Sequence, residues 1–295
     1  MKEEERVFIN RLEKIAADMH PALERDDVDG WIVQFADGYT QRANSVLPQT
    51  DVHPAPECAA SSGASESVSG SACAASLDKD ECAVCAAAER VFVCEKLYAE
   101  HGLPCIFKMT DAAPAGLNDF LSQRGYKRNS DSDVMIVAAD DAAFQERAES
   151  IVEPEEAGFI ITSAPDAAWL EAFFSFEHRT APKTVATATR QFELIDADEN
   201  LTALYVRLQM SGKDVAVASV VIEDGVLFLL NVVVDESFRG KGYGKLLVKN
   251  ALEAGCDAGA EKLCLQVSSD NETAIKLYEA FGFRTIYHYW YMVSK

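Results

Sequence analysis

The run Arg239-Gly240-Lys241-Gly242-Tyr243-Gly244 decides how the rest of the chain is interpreted. It lies between an apolar stretch, 226–234, and a segment of helical periodicity, 245–254. Glycines at alternate positions let backbone N–H groups converge on an anion, and a helix N-terminus adds partial positive charge. The Arg and Lys side chains add full charges. The run therefore predicts a pyrophosphate site at a strand–loop–helix turn.

The spacing of these glycines differs from both common nucleotide motifs. A P-loop needs Gly, four residues, then Gly-Lys-Ser/Thr, and a dinucleotide fingerprint needs Gly-x-Gly-x-x-Gly followed by an acidic residue. Neither spacing occurs in the run. A glycine-rich turn without a ligand is the alternative.

Composition places the chain among ordinary globular proteins. It has 295 residues, of which 48% are hydrophobic and 25% charged, and two domains are the better expectation for this length. No apolar stretch approaches the roughly 20 residues of a membrane helix. The net charge of −21 argues against nucleic-acid binding and weakly favours cationic substrates. Residues 1–21 lack the pattern of a signal peptide, so we expect a cytoplasmic location without membrane association.

The eight cysteines match neither a disulfide framework nor a pair of zinc knuckles. We interpret them as reduced thiols and predict no metal site, with Cys82-x-x-Cys85 as a pair at the start of a helix. They are Cys58, Cys73, Cys82, Cys85, Cys94, Cys105, Cys256 and Cys264.

Two segments of the chain repeat. Residues 31–46 match 218–233 at an offset of 187, and residues 117–136 match 274–293 at an offset of 157. The difference of 30 is about the length of a Ser/Ala/Gly-rich segment near 48–77, interpreted as a mobile insertion. An acidic segment, 138–156, is interpreted as an interdomain linker. The prediction is two α/β domains, 1–150 and 156–295, each a twisted mixed sheet flanked by helices.

Three linked motifs resemble the GNAT superfamily of N-acetyltransferases and cover most of the last 70 residues. The central motif, (Arg/Gln)-x-x-Gly-x-(Gly/Ala), matches Arg239 to Gly244. It is preceded by the apolar strand that ends in Leu230-Asn231-Val232-Val233-Val234, and followed by Asn271-x-x-Ala274-x-x-Leu277-Tyr278-x-x-x-Gly282-Phe283. The repeat resembles tandem GNAT proteins, whose first half is usually non-catalytic.

The resemblance implies that acetyl-CoA is the co-substrate and assigns roles to its ligands. Backbone groups of Val232, Val233 and Val234 would bind the pantetheine arm, and the N–H of Val234 would polarise the thioester carbonyl. Tyr278 would protonate the departing thiolate, and Asn271 would bind the cofactor from the start of its helix. The phosphate loop would comprise Arg239, Gly240, Lys241, Gly242, Tyr243, Gly244 and Lys245. Glu236 stands where family members often have proline, and we expect it to face solvent.

Several assignments have structural alternatives. Tyr278 also fits a core aromatic residue, and Asn271 also fits an ordinary residue of a first helical turn. The general base is not identified. Its candidates are Glu177, His178, Glu223 and His288, each of which also fits a surface, turn or strand position.

The first half lacks the matching functional residues. The repeat pairs Asn271 with Pro114 and Tyr278 with Leu121, while the insertion replaces the phosphate loop. We therefore predict one acetyl-CoA per chain, bound by the second half, and direct acetyl transfer to a small-molecule or peptide amine. The alternative function is a non-catalytic acyl-CoA-binding sensor or interaction protein. Oligomeric state is not predicted.

Overall fold

Eight α-helices and eleven strands are described for residues 1–50 and 79–294 of the computed structural model. They form two compact units. Unit 1 contains Met1–Arg11, Glu24–Asn129 and Trp290–Lys295, and unit 2 contains Leu12–Leu23 and Ser130–Tyr289. The predicted mobile insertion, 48–77, lies almost wholly outside the described residues.

Unit 1 is built on four short strands, to which the end of the chain contributes Met292 as a core residue. Trp31, Tyr98 and Phe107 are fully buried in this core. Strand β2 is antiparallel to β1 and β3, and β3 is parallel to β4. The elements that begin in this part of the chain are α1 (Glu3–Asp18), β1 (Glu24–Val28), β2 (Trp31–Phe35), β3 (Val46–Leu47), α2 (Lys79–Glu100), β4 (Ile106–Thr110) and α3 (Leu117–Gln123).

Unit 2 holds a mixed sheet with the strand order β11-β5-β10-β9-β8-β7-β6. Strands β9 and β10 are parallel, whereas β5–β10, β8–β9, β7–β8 and β6–β7 are antiparallel. The predicted α/β class with a mixed sheet is confirmed. The elements are β5 (Lys127–Ala138), α4 (Ala142–Ser150), β6 (Ala157–Thr162), α5 (Ala167–Phe176), α6 (Pro182–Ala197), β7 (Thr202–Met210), β8 (Lys213–Glu223), β9 (Val226–Val234), α7 (Tyr243–Asp257), β10 (Lys262–Ser268), α8 (Glu272–Glu279) and β11 (Arg284–Val293).

Helix α7 packs closely on the sheet through a glycine. A Cβ atom at Gly255 would clash with Cδ1 of Leu227 in β9. The apolar face of α7, including Leu247 and Ala251, is fully buried in the same core. Because helix and strand are held together in this way, the start of α7 is fixed beside the end of β9.

The compact units do not follow the predicted boundaries at 150 and 156. Strand β5, the last strand of the first repeat, pairs with β10 from Ser132↔Ser268 to Ala138↔Lys262. The backbone hydrogen bonds of that long pairing place β5 in unit 2, while the residues from Trp290 onward belong to unit 1. Each repeat thus contributes its final strand, in whole or in part, to the other unit.

The interpretation of 138–156 as a linker is wrong for its central part, which is helical. Residues Ala142–Ser150 form α4, and Asp141 caps this helix by accepting a hydrogen bond from the N–H of Ala143 at 2.9 Å. Phe144 is 2% exposed in the core of unit 2. The acidic residues that suggested a linker lie on a helix whose apolar side is buried.

None of the helices in the described ranges, 1–50 and 79–294, is long and apolar enough to span a bilayer.

Candidate acyl-CoA site

A gap opens in the sheet of unit 2 between β9 and β10. The two parallel strands pair from Val226↔Lys262 to Leu229↔Leu265, and no pair follows in the register. Both strands nevertheless continue, β9 to Val234 and β10 to Ser268. Among the described strands, none therefore lies against this edge of β9 at its carboxyl end.

A β-bulge in β9 accompanies this divergence. The register with β8 shifts between Ser219↔Leu230 and Val217↔Val233, so β9 has one extra residue here. Asn231 adopts a positive φ of 54° and donates a hydrogen bond from Nδ2 to Oγ of Ser219 at 2.9 Å. A bulge bends its strand and increases the local twist, which explains why β9 turns away from β10. No sequence feature indicated this bulge beyond the asparagine itself, a residue type that tolerates positive φ.

The N–H of Val234 lies on the open edge of β9. Asp235 donates its N–H to the carbonyl of Val215 in β8 at 3.0 Å. Backbone groups of successive strand residues point to opposite edges, so those of Val234 point away from β8 and toward the gap. By the same alternation those of Val233 face Val217 in β8. Of the valines predicted to contact a ligand, Val233 is thus turned away from the gap, and Val232 precedes it beside the bulge.

The predicted phosphate loop lies directly after β9 in the chain. A short 3₁₀ turn, Glu236–Phe238, leads into it, and Gly240 and Gly242 adopt positive φ values of 77° and 88°. In the described part of the chain, no backbone hydrogen bond is donated by the N–H groups of residues 240–244. Since α7 begins at Tyr243, these N–H groups surround the positive end of the helix dipole. The local geometry suits an anion.

Side chains connect the loop to the gap. Nε of Arg239 donates to the carbonyl of Val234 at 3.1 Å, which places the guanidinium at the end of the open edge. A Cβ atom at Gly244 would lie 3.8 Å from Val234 and 3.7 Å from Leu277. The end of β9, the first turn of α7 and α8 therefore meet at this glycine.

Tyr278, the residue after Leu277, lies in the core of unit 2 with 8% of its surface exposed. Its ring centroid is 6.1 Å from that of Phe283. Burial raises the pKa of its phenol to about 12, because the ionised form is poorly solvated there. The residue is thus a core aromatic whose phenol stays protonated at neutral pH.

Asn271 is the N-cap of α8, where its Oδ1 accepts a hydrogen bond from the N–H of Ala274 at 3.1 Å. This is the alternative that the sequence left open for it. The Ser269–Glu272 pattern, which also fits a capping box, does not cap the helix, since Oγ of Ser269 donates to Asp133. Glu236 has 69% of its side chain exposed, as expected.

The four candidates for a general base differ in their distance from the phosphate loop and in their charged neighbours. Glu223 pairs with Val226 at the opposite end of β9 from Val234, roughly 25 Å away at a rise of about 3.3 Å per residue. Burial, and repulsion by Asp18, raise the pKa of its carboxyl group. Its distance from the loop excludes a direct catalytic role.

The other three candidates have ion partners. Glu177 pairs with Arg179 at 3.2 Å, and Nε2 of His178 lies 3.6 Å from Glu236 beside the phosphate loop. Nδ1 of His288 lies 2.8 Å from Oδ1 of Asp133, a carboxylate that also accepts from Ser269 at 2.7 Å. His288 is therefore a well-oriented imidazole.

Of the cysteines, Cys94, Cys105, Cys256 and Cys264 are free thiols. Burial raises the pKa of Cys264 to about 12, so it is an unreactive core thiol. Cys58 and Cys73, and the side chains of Cys82 and Cys85, lie outside the described residues. Among the described residues, no group of three or more His, Cys, Asp and Glu has metal-binding geometry.

The divergent parallel strands, the bulge and the glycine loop at a helix start define the class of protein. Together with the tandem repeat, they are those of a GNAT-superfamily N-acetyltransferase.

The comparisons assign a family. The model described as "Probable histone acetyltransferase Rv0428c C-terminal" matches residues 8–292, and the chain belongs to this family. The uncharacterised N-acetyltransferase YobR of Bacillus subtilis is 24% identical over 295 residues, with 97% of this chain and 99% of that protein covered. The ribosomal protein bS18-alanine N-acetyltransferase of Salmonella typhimurium is 32% identical over 83 residues, 27% of this chain and 55% of that protein.

Solved structures share the fold. A GCN5-related N-acetyltransferase from Kribbella flavida superposes with a TM-score of 0.64 at 14% identity, covering 97% of this chain and 95% of its own. A tandem GNAT protein from the clavulanic acid biosynthesis pathway gives a TM-score of 0.59 at 16% identity, covering 70% and 69%. At these identities, both structures show a shared fold only.

Proposed function

We propose that the second half of the chain binds acetyl-CoA and transfers its acetyl group directly to an amine. The observation that carries the proposal is the open edge of β9 from Leu230 to Val234, which ends at a loop of N–H groups available to an anion. An extended pantetheine arm with amide groups fits the first feature, and a pyrophosphate fits the second.

The phosphate loop is proposed to bind the pyrophosphate through backbone and side chains. Gly240 and Gly242 hold the loop in its left-handed conformation, and the N–H groups of 240–244 donate to the phosphate oxygens. Arg239 and Lys245 supply positive charge at the pyrophosphate, and Lys241 adds positive charge at the edge of the loop, where its Nζ lies over the ring of Phe238. Asn271, whose Oδ1 caps α8, keeps its amide N–H groups for the cofactor.

The acetyl group would lie where β9 ends. Val232 and Val234 are proposed to donate backbone hydrogen bonds on the open edge, while Val233 contributes packing, since its backbone groups face β8. A carbonyl oxygen bound by the N–H of Val234 gains stabilisation as negative charge develops during attack. The guanidinium of Arg239, bonded to the Val234 carbonyl, strengthens the positive field at this point.

The proposed reaction has one proton donor on the protein. A neutral amine attacks the thioester carbonyl, the new C–N bond forms, and the C–S bond breaks with its electron pair on sulfur. Tyr278 donates its phenolic proton to that thiolate and regains a proton from solvent. The proton lost by the amine passes to a base, for which the candidates are His288, hydrogen-bonded to Asp133, and His178, which lies near Glu236. No covalent acyl-enzyme forms.

The acceptor is proposed to be a primary amine on a small molecule or a peptide. One relative is named as a ribosomal protein bS18-alanine N-acetyltransferase, and the family is described as a probable histone acetyltransferase. The net charge of −21 favours acceptors that are cationic before they lose their proton. The cytoplasmic location stays a prediction from the sequence.

Ligand binding and turnover test the two parts of the proposal separately. Saturating acetyl-CoA should raise the melting temperature, because a ligand that binds only the folded state stabilises it. Arg239→Glu should abolish the shift, whereas Lys127→Glu, an exposed charge reversal in the first half, should leave it unchanged. No shift in the unmodified protein would refute cofactor binding.

Turnover is measured as CoA release with a panel of amines, polyamines, aminoglycosides and peptides, and products are identified by mass spectrometry. Release with one acceptor class, together with a product heavier by one acetyl group, is expected. Binding of acetyl-CoA without modification of any acceptor would instead favour the alternative of a non-catalytic acyl-CoA sensor.

A further inference from the structure

Two lysines from different elements meet on one aromatic ring beside the phosphate loop. Nζ of Lys241, in the loop, lies 4.7 Å from the ring centroid of Phe238, and Nζ of Lys213 lies 4.7 Å from the same centroid. Both side chains are exposed. Long flexible side chains that converge on one ring are able to reach one anion together.

The position of Lys213 follows from the sheet. It is the first residue of β8, directly after the turn that joins β7 and β8. The register Ala216↔Val234, and the bond from Asp235 to Val215, bring that turn beside the end of β9. Lys213 therefore approaches the loop from the side of the β7–β8 hairpin, which nothing in the linear motif indicates.

Neither lysine forms an ion pair within the described part of the chain. This matters because the chain has 48 Asp and Glu residues against 27 Lys and Arg. Elsewhere in unit 2, Lys249 is bound by Glu153 and Glu253, and Lys276 by Glu272. Hydrogen bonds from Ser237 to Oδ1 of Asp235 lower the pKa of this nearby carboxyl group, and the charge of Lys213 adds to that effect. Lys213 thus senses Asp235 without forming an ion pair with it, and an external anion at Phe238 would gain a direct contact that the carboxylate does not make.

We propose that Lys213 and Lys241, placed by Phe238, bind the 3′-phosphate on the adenosine of acetyl-CoA. The inference rests on the proposed function. The pyrophosphate is matched by the N–H groups of 240–244, so an anion at Phe238 is a second one. CoA carries such a group, a phosphomonoester on the ribose next to the pyrophosphate, with nearly two negative charges at neutral pH. Lys213 is a specificity residue that distinguishes CoA from its dephosphorylated form.

The test compares acetyl-CoA with 3′-dephospho-acetyl-CoA by titration calorimetry. Lys213→Met removes the charge while keeping an unbranched apolar stem. Lys262→Met is the matched control, since Lys262 is exposed, lies at the opposite end of the sheet and has no ion pair in the described ranges. Circular dichroism establishes that each variant is folded.

The unmodified protein should bind acetyl-CoA about tenfold more tightly than the dephosphorylated ligand, as expected for loss of a charge-assisted contact. Lys213→Met should lower affinity for acetyl-CoA by about the same factor and leave the dephosphorylated ligand unaffected. Lys262→Met should change neither.

An equal loss of affinity for both ligands in Lys213→Met would overturn the proposal, because the lysine would then face the pyrophosphate. Unchanged affinity for acetyl-CoA would overturn it as well. If the unmodified protein binds neither ligand, the proposed function fails together with this inference, and that outcome is distinct from both others.

Discussion

The two halves of the chain make the same turn and then diverge. In the first, Asp37 and Gly38 adopt φ values of 55° and 73°, and in the second, Asp224 and Gly225 adopt 49° and 72°. Two successive positive φ angles define a type I′ hairpin turn, in which Asp and Gly are favoured. The second half continues from its turn into the nine-residue β9, whereas the first forms only the two-residue β3 after residues 39–45.

Two asparagines that the repeat aligns, Asn44 and Asn231, have different structural roles in the two halves. Asn44 is buried and closes the loop of the first half, where its Oδ1 accepts from the N–H groups of Ala36 and Gly38 at 2.7 and 2.9 Å. The aligned Asn231 sits in the bulge that opens the sheet. The comparison shows that the residues after a shared turn decide the outcome. In the first half they form a hydrogen-bonded loop, and in the second they form a bulged strand that diverges from its neighbour.

The largest expected difference between the halves is in cofactor binding. Gly242 and Gly102 both have positive φ and open space where a Cβ would lie. Aspartate tolerates this conformation at a cost of about 1–2 kcal/mol, so both substitutions by Asp should fold. Gly242→Asp places a carboxylate at the proposed phosphate site and should reduce acetyl-CoA affinity more than a hundredfold in calorimetry.

Gly102→Asp is the control for this effect, because it adds the same charge and strain in the first half. It should leave acetyl-CoA affinity unchanged. Comparable loss in both variants would show that strain, rather than the position of the carboxylate, weakens binding.

Catalysis should also be confined to the second half. Tyr278→Phe removes the proposed proton donor and should lower kcat by about a hundredfold or more, with acetyl-CoA affinity retained. Tyr126 is a buried tyrosine of the first half whose hydroxyl donates to Glu95, and Tyr126→Phe should leave kcat unchanged. Steady-state CoA release measures both, and full activity of Tyr278→Phe would remove the general acid from the mechanism.

Substitutions of the two aligned asparagines should affect stability, and here the first half should lose more than the second. Asn44→Ala leaves the buried N–H of Ala36 and the partly buried N–H of Gly38 without their acceptor, and should lower the free energy of unfolding by about 3 kcal/mol. Asn231→Ala loses one hydrogen bond to Ser219 and places alanine at a positive φ, which together should cost about 2 kcal/mol. Urea denaturation compares them, and equal destabilisation would contradict the distinct roles assigned to the two residues.

The smallest expected effect is one of pH. Tyr278 acts in its protonated form, and an ordinary tyrosine would be half ionised near pH 10. Because burial raises its pKa to about 12, proton loss from Tyr278 should not reduce kcat between pH 8 and 10. A fall in kcat centred near pH 10 that disappears in Tyr278→Phe would show that the phenol is better solvated than the structure indicates.

Much of this fold was predictable because its signals are local. The apolar run 226–234 is β9 itself, and the repeat survives in backbone angles, with Gly125 and Gly282 at φ values of 93° and 84°. The predicted domain boundaries rested on composition, which does not show that β5 pairs with β10. Strand pairing between distant segments is a tertiary property, and the acidic surface of α4 was read as a linker for the same reason.

The sequence motifs of the candidate site were predictable, whereas backbone orientation, helix capping and contacts between distant elements were not. The motif supplied the loop and Tyr278, but the orientation of Val233 depends on the register with β8. Asn271 was assigned to the cofactor, although its carbonyl caps α8. Lys213 was not identified, because its approach to Phe238 requires the β7–β8 hairpin to fold back along β9.

The stoichiometry of cofactor binding tests the central claim most directly. Titration of the 295-residue chain with acetyl-CoA should give one site per chain, occupied in the unmodified protein and lost in Gly242→Asp. Two sites per chain, or one site that persists in Gly242→Asp, would contradict the assignment of acetyl-CoA to the second half.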